Sequence, residues 1–366
     1  MEWGFEESML LLVVLMAAGQ WMSSKTRGMV SLQFTFGTAC IALATAGILT
    51  PAVVQLSKLN EIGVMAFSVL MINTGASLSL REMNQKKRIM VSLAMLVMVS
   101  MMMSSVGRWF GWYTFEEQFA HIALYGNGAV AAIASNIMHR NASQIAYLPW
   151  LFFMAQSFLG IIAFKFSCGK VLSCDVQNES SCSPAPQAEL KKIPLTYVFS
   201  LLFIGTLINK TVIVPWSPFH PSFTAIVVGL MLMKTRLLPK NPLDRTSSME
   251  FLMMGLISLM ALSLSSVEWS MMIEKLGIVL LLSINSMAAL VLTAGLLSAK
   301  SKKTFYKNIM MLSSMYMGFP YLLMKYKKLA IQKNQPPMMA GEISDFCRFG
   351  YYVVPIVLVG LMSVLM

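Results

Sequence analysis

The chain is short of charged side chains. Asp, Glu, Lys and Arg make up 12% of its 366 residues, whereas an average soluble protein has about a quarter. Hydrophobic residues make up 57% and the mean hydropathy is +0.67, so polar side chains are too few to cover a water-soluble domain of this size. This composition excludes a soluble enzyme and predicts an all-α polytopic membrane protein.

Residues for several kinds of chemistry are also scarce. The three histidines are scattered, and the five cysteines form neither a CxxC motif nor a disulfide framework. The centres of the predicted spans contain no Asp, Glu, Lys or Arg, which argues against a proton relay. The net charge of +12 comes from short basic runs between apolar segments, a membrane pattern rather than a nucleic-acid-binding one. We therefore expect no enzyme activity, no cofactor and no nucleic-acid partner.

Ten apolar segments are long enough to span a bilayer, which takes roughly 20 helical residues. They are residues 5–22, 29–54, 62–80, 89–106, 145–166, 194–212, 222–238, 249–266, 272–298 and 349–366. Two further segments, 119–138 and 306–324, are apolar but interrupted by small and polar residues. The sequence thus predicts about ten spanning helices plus two irregular segments.

The basic loops predict the orientation of these segments. Lys and Arg are concentrated around residues 25–27, 81–88, 234–245 and 300–307, and such loops favour the cytoplasmic side. All four can be cytoplasmic only if segment 119–138 enters and leaves on the same side, as a re-entrant hairpin. Both termini and the loop 108–117 are then extracytoplasmic.

The order of segments repeats in the two halves while the charge bias of the loops swaps sides, which is typical of inverted-topology repeats. Ser77 and Ser263, and likewise Glu82 and Glu268, are 186 positions apart. The predicted divisions are N-terminal helices at 1–58, a first repeat core at 59–167 with a re-entrant hairpin at 117–140, a cytoplasmic connecting loop at 168–193, connecting helices at 194–243, and a second repeat core at 244–366 with a hairpin at 305–330.

The two interrupted segments are the candidate substrate-binding sites, because backbone that leaves the helix at membrane depth persists only inside protein or along a watery cavity. Gly126, Asn127 and Gly128 are expected to present backbone amides to an anionic solute. The second segment offers three small or polar residues: Ser313, Ser314 and Gly318. A purely structural explanation, in which these residues only let helices approach closely, stays open.

Uncharged oxygen atoms near the ends of two spans predict a sodium site. Asn73, Thr74 and Ser77 lie in one span and Ser263 in its proposed repeat mate, and uncharged oxygens suit Na⁺ better than a soft metal. Hydrogen bonding between helices is the alternative explanation of these side chains.

Several motifs resemble the bacterial sodium/glutamate symporter family over most of the chain from about residue 60. Residues 259–264 (LMALSL) are similar to the family's Met-Ala-Leu-x-Ser-Leu helix, and residues 74–78 (TGASL) to its glycine-rich helix end. Residues 126–129 (GNGA) resemble its Gly-Gly-His-Gly hairpin signature, from which Tyr125 and Asn127 depart. The resemblance implies two inverted repeats whose re-entrant loops meet at the membrane centre, and sodium-coupled uptake of glutamate across the bacterial cytoplasmic membrane.

We therefore expect a symporter that imports glutamate or a similar small carboxylate or amino acid together with Na⁺, surrounded by lipid, with a homodimer as one possible assembly. The second hairpin retains little of the family signature beyond Gly318 and Phe319. This leaves a second hypothesis, a non-transporting membrane scaffold or sensor derived from such a carrier.

Overall fold

The computed structural model describes most of the chain as helices. The described residues are 3–26, 30–77, 87–126, 128–174, 194–217, 221–239, 249–267, 269–298 and 301–316, with isolated positions 242, 243, 246, 326, 343, 346 and 350. Helical conformations account for 86% of the structure, and the described residues include no strand. The predicted all-α class is confirmed for this part of the chain.

Thirteen α-helices follow one another along the described ranges. They are α1 (Phe5–Lys25), α2 (Leu32–Thr45), α3 (Pro51–Leu56), α4 (Leu59–Ser77), α5 (Lys87–Trp109), α6 (Phe115–Ala120), α7 (Gly128–Asn141), α8 (Leu148–Cys174), α9 (Leu195–Ile208), α10 (Pro221–Lys234), α11 (Met249–Ser265), α12 (Trp269–Leu296) and α13 (Lys302–Leu312). Short 3₁₀ turns at His121–Tyr125 and Ser313–Met315 extend α6 and α13. A π-helical turn at Asn209–Ile213 extends α9.

Six of the helical stretches are long and apolar enough to cross a membrane: Phe5–Lys25, Leu59–Ser77, Lys87–Trp109, Ser143–Val171, Leu195–Trp216 and Trp269–Leu296. Large apolar side chains face outward, and Trp109 and Trp216 are 86% and 87% exposed. Exposed apolar surface on long helices is what lipid contact requires. The chain is therefore a multi-pass membrane protein, while the number of ten spans stays a prediction because α10 and α11 have 14 and 17 residues and the segment 349–366 lies outside the described residues, apart from position 350.

The predicted continuous span at 29–54 is wrong. Helix α2 ends at Thr45, and Gly47 has a φ of +70°, a left-handed conformation that glycine adopts without strain. The next helix starts at Pro51, with the Thr50 hydroxyl accepting a hydrogen bond from the Val53 amide. A glycine turn followed by Thr-Pro is a strong stop-and-start signal, and it outweighs the apolar composition of the segment.

The first interrupted segment returns to the end of the molecule where it began. Thr114 precedes α6 and Ala142 follows α7, yet both line one cleft of about 440 Å³. The chain therefore reverses direction between α6 and α7. The re-entrant position of this segment in the membrane stays a prediction.

Helix α4 packs unusually closely against two neighbours. A Cβ atom on Gly75 would lie 1.9 Å from the Ile226 carbonyl oxygen of α10, and one on Gly229 would lie 2.0 Å from the Ile72 carbonyl oxygen. Against α11, a Cβ atom on Gly63 would lie 2.6 Å from the Gly255 carbonyl oxygen. Small residues that allow such approaches are the usual means of helix association in lipid, where burial of apolar surface provides no driving force.

Helix bounds in the two halves agree with the 186-residue offset. Adding 186 to the bounds of α4, 59–77, gives 245–263, and α11 is Met249–Ser265; the same shift takes α5 from 87–109 to 273–295, and α12 is Trp269–Leu296. The segment 115–125 moves to 301–311, and α13 is Lys302–Leu312. Helices α4 and α11 are antiparallel, because Ser258 donates to the Leu59 carbonyl (2.7 Å) while Gly255, earlier in α11, contacts Ala66, later in α4.

We expect Gly75→Ala to lower the free energy of unfolding by about 1–3 kcal/mol, because the added methyl group would overlap the backbone of α10 unless the helices separate. Gly277→Ala is the matched control, since a Cβ there meets no atom within 4 Å. Thermal unfolding of the purified protein in detergent measures both. Equal stability of the two variants would contradict the close α4–α10 contact.

Candidate functional site

The first interruption of helical structure lies at Gly126. A capping box starts α6, in which the Thr114 hydroxyl accepts from the Glu117 amide and the Glu117 carboxylate accepts from the Thr114 amide. The 3₁₀ turn ends at Tyr125, and Gly126 is extended, with φ −123° and ψ −173°, a conformation open to any residue. The backbone conformation at this position therefore does not require glycine. Space requires it instead, because a Cβ there would lie 2.3 Å from Val130 Cγ2.

The other proposed substrate residues of this segment are partly visible. Helix α7 begins at Gly128, where a Cβ would lie 3.0 Å from Leu256 Cδ2 and 3.1 Å from Phe153 Cζ. These apolar contacts support the close-packing explanation for Gly128. Asn127 lies outside the described residues, so its role as a ligand stays a prediction.

The second interruption follows α13. Ser313 is buried, and its hydroxyl donates to the Met310 carbonyl oxygen at 2.8 Å, so its hydrogen bond stays within its own helix. Ser314 lies in the 3₁₀ turn, but its side chain is outside the described part, as is Gly318. The described part of this segment ends at Tyr316.

Gln156 joins the two interruptions. This side chain on α8 is 4% exposed, and its Nε2 atom lies 2.6 Å from the Gly126 carbonyl oxygen and 2.9 Å from the Met315 carbonyl oxygen. A primary amide has two N–H groups, so one side chain satisfies a carbonyl at the end of each irregular turn. The two segments singled out from the sequence therefore meet inside the protein.

A cluster of buried polar side chains adjoins this junction. The Ser286 hydroxyl lies 2.6 Å from His121 Nε2 and 2.5 Å from the Tyr125 hydroxyl, and the Tyr316 hydroxyl donates to the Ser286 carbonyl oxygen at 3.2 Å. The Tyr125 hydroxyl also donates to Ser100, and the rings of Tyr125 and Tyr316 are 5.8 Å apart. All five side chains are at most 2% exposed: Ser100, His121, Tyr125, Ser286 and Tyr316.

This cluster was missed by sequence reasoning, although two signals were present. Ser100 and Ser286 are separated by the same 186 positions that relate Ser77 and Ser263, and both reach the hydroxyl of Tyr125. Gln156 directly follows the six apolar residues 150–155. A lone amide in such a run is costly to bury without a partner, which indicates a specific internal contact.

The proposed sodium ligands of α4 are all engaged in hydrogen bonds within the protein. Asn73 Oδ1 accepts from the Leu243 amide at 3.2 Å. The hydroxyls of Thr74 and Ser77 donate, each at 2.8 Å, to the carbonyl oxygens of Leu70 and Asn73. These contacts fit the alternative explanation, in which the polar groups of α4 serve helix structure and packing.

Ser263 lies far from those three residues. Its hydroxyl is 3.2 Å from that of Ser135, which donates to the Ala146 carbonyl oxygen. Ser258 of the same helix contacts Leu59, and Asn73 is 14 residues further along α4, or about 21 Å at 1.5 Å per residue. Because α11 is antiparallel to α4, Ser263 lies still further from Asn73 than Ser258 does. The structure therefore does not bring the four residues into one site.

Ion pairs of Lys275 lie at the cleft beside the two ends of the first interrupted segment. Lys275 Nζ lies 2.9 Å from Glu117 Oε1 and 3.0 Å from Glu274 Oε1, and the Glu117 side chain is 3% exposed. The contact connects the base of the α6–α7 hairpin to α12. Within the described ranges, no three His, Cys, Asp or Glu side chains are placed to hold a metal ion.

No protein-family model and no curated protein matches the chain.

We expect Ser286→Ala to lower the free energy of unfolding by about 1–3 kcal/mol, because His121 and Tyr125 lose a buried hydrogen-bond partner. Ser283→Ala, one turn earlier on α12, removes a buried hydroxyl that has no hydrogen-bond partner among the described residues, so its effect is expected within about 0.5 kcal/mol. Thermal unfolding compares the two variants. A cost for Ser283→Ala as large as that for Ser286→Ala would argue against the hydrogen-bonded cluster.

Proposed function

We propose that the chain is a sodium-coupled secondary transporter that imports glutamate or a similar small carboxylate across the bacterial cytoplasmic membrane. The observation that carries this proposal is the meeting of two interrupted helical segments at Gln156, next to a buried polar cluster. Carriers commonly bind solute and ion where helices break near the bilayer midplane, because helix ends supply both amide and carbonyl groups.

The geometry of the first interruption suits an anion. Helix α7 starts two residues after Gly126 and has 14 residues, and the N-terminal end of a helix carries a partial positive charge that favours carboxylates. We assign the solute carboxylate to the Gly126–Gly128 turn for this reason. The choice of glutamate comes from the resemblance of residues 126–129 and 259–264 to the sodium/glutamate symporter family.

Inverted repeats are part of the proposal and are supported by three features. The helix bounds agree within four residues under one offset, α4 and α11 are antiparallel, and the equivalent residues Ser100 and Ser286 meet at one tyrosine hydroxyl. Two halves of opposite orientation around a central site are the usual basis of alternating access.

A non-transporting scaffold or sensor is the competing function. Its sequence argument is the loss of the family signature in the predicted second hairpin, of which residues 317–325 lie outside the described residues. The uptake experiment below decides between the two functions.

Orientation and re-entry are tested by single cysteines in a cysteine-free background. Trp112→Cys and Ser143→Cys are both exposed positions that flank the α6–α7 hairpin; we expect both to react with a membrane-impermeant maleimide applied outside intact cells. Arg88→Cys, at the start of α5, is expected to react only after the cytoplasmic side is opened. Labelling of Trp112→Cys and Ser143→Cys from opposite sides would contradict the re-entrant hairpin.

We expect purified protein in proteoliposomes to accumulate radiolabelled glutamate when an inward sodium gradient is imposed, and more so with a negative interior. Entry of more than one Na⁺ with each glutamate moves net positive charge inward, and one charge moving through 100 mV contributes about 2.3 kcal/mol. Uptake that follows a pH gradient and ignores sodium would contradict the coupling ion. Absence of uptake of glutamate and related carboxylates under all gradients would favour the scaffold or sensor.

Gly128→Val is expected to reduce this uptake at least about tenfold, because its methyl groups would overlap Leu256 and Phe153 and shift the start of α7. Gly295→Val is the control, since a Cβ on Gly295 meets no atom within 4 Å. Uptake is normalised to the amount of folded protein in the vesicles. Near-normal uptake by Gly128→Val would contradict a role for the start of α7 in transport.

A further inference from the structure

The geometry points to a sodium site at Gln156, formed by the carbonyl oxygens of Gly126 and Met315 together with the side-chain oxygen of Gln156. This inference rests on the proposed function, because it places the coupling ion of that transporter. It differs from the sodium site predicted from Asn73, Thr74, Ser77 and Ser263, which the structure divides between two distant places.

The two carbonyl groups have the character of cation ligands. Each lies where a 3₁₀ turn ends, at His121–Tyr125 and at Ser313–Met315. Helix ends of this kind leave carbonyl groups without helical partners and carry partial negative charge. Their oxygens converge on a single atom, Gln156 Nε2, at 2.6 and 2.9 Å. A group with partial positive charge therefore already occupies the position between them.

The amide of Gln156 can exchange this contact for an ion ligand. Rotation of the amide by 180° about its last side-chain bond places Oε1 where Nε2 stood, since the two atoms are nearly equal in size. Three oxygen atoms then face one another, which is unfavourable unless a cation lies between them. The side chain thus has two arrangements, one that bridges the carbonyls by its N–H groups and one that binds sodium with them.

The surroundings favour a monovalent ion of this type. Gly126, Gln156 and Met315 are all buried, and the neighbouring polar groups Ser286, Tyr125 and Tyr316 are uncharged. A divalent ion would bring two charges into a site with no carboxylate among these residues, at a much larger desolvation cost. Carbonyl and amide oxygens are suitable ligands for Na⁺ at interrupted helices.

This position also explains coupling between ion and solute. The Gly126 carbonyl belongs to the same interruption as the start of α7, two residues away. A carboxylate at the start of α7 lies close enough to a cation at the Gly126 carbonyl for strong attraction in an environment of low dielectric constant. Either charge alone is poorly tolerated there, so each promotes binding of the other.

The test is sodium binding by the purified full-length protein without any gradient. Radioactive sodium binding and the sodium-dependent rise in unfolding temperature are measured at constant ionic strength, with choline replacing sodium. We expect Gln156→Leu to raise the sodium Kd by about 10- to 150-fold, the effect of losing one contact to a charged group. Gln118→Leu is the matched control, because Gln118 is also buried but donates to Met101, Ser104 and Ser105 of α5; its sodium Kd should equal that of the wild type.

Gln156→Glu provides the second variant, in case Gln156→Leu fails to fold. An ionised carboxylate cannot donate to the two carbonyls, so the variant should be less stable without sodium. With sodium, its negative charge should lower the Kd by at least about tenfold and enlarge the rise in unfolding temperature. A purely structural Gln156 would instead give two destabilised variants with an unchanged sodium Kd, and that result would overturn the site.

Failure of this site is distinguishable from failure of the proposed function. Unchanged sodium binding by both Gln156 variants, combined with sodium-driven uptake by the wild type, overturns the site and leaves the transporter standing. Absence of sodium binding by the wild type also overturns the site, and the uptake assay then decides the function separately. The site is supported if the sodium Kd is higher in Gln156→Leu, lower in Gln156→Glu and unchanged in Gln118→Leu.

Discussion

Backbone that stops being helical inside an apolar bundle must find hydrogen-bond partners within the protein, since lipid offers none. The Gln156 amide meets this requirement for the carbonyls of Gly126 and Met315 at once. An unpaired buried group of this kind costs about 1–3 kcal/mol. The two irregular segments therefore depend on α8, which supplies this side chain, for their stability. The positions of Tyr125 and Tyr316, and through them of Ser286, follow from the same junction.

Close backbone packing provides the framework around this junction. Gly75 and Gly229 bring α4 and α10 together, and Gly63 and Gly255 do so for α4 and α11. Contacts of this kind leave little room for relative sliding, because protein interiors are close-packed and deform poorly.

By contrast, the α6–α7 hairpin is joined to α12 by side-chain contacts, including Lys275 with Glu117 and Ser286 with His121. Hydrogen bonds and ion pairs can exchange partners more readily than interlocked backbones can separate.

Apart from the imidazole of His121, the polar groups at the centre are uncharged, and this limits the chemistry available to them. Ser100, Tyr125, Gln156, Ser286 and Tyr316 offer oxygen and nitrogen atoms but no fixed charge to bind an ion by itself. A cation and an anion that enter together neutralise each other, whereas each alone would meet the full cost of burial at membrane depth. This constraint is consistent with the proposed cotransport of a carboxylate with sodium.

Composition and periodicity by themselves determined the all-α membrane class, most helix positions, the two interrupted segments and the 186-residue offset, because apolar length and loop charge are local properties that lipid selects directly. They failed at residues 46–50, where turn chemistry at Gly47 and Thr50 outweighed hydropathy, and they grouped Ser263 with Asn73 although the antiparallel packing of α4 and α11 separates them. Only the tertiary structure showed that Gln156 links Gly126 to Met315 and that Ser100 and Ser286 share Tyr125. The physical reason is that a hydrogen bond depends on two groups meeting in space. These residues are separated by 25 to 161 positions along the chain and are brought together by helix packing, which no local pattern in the sequence records.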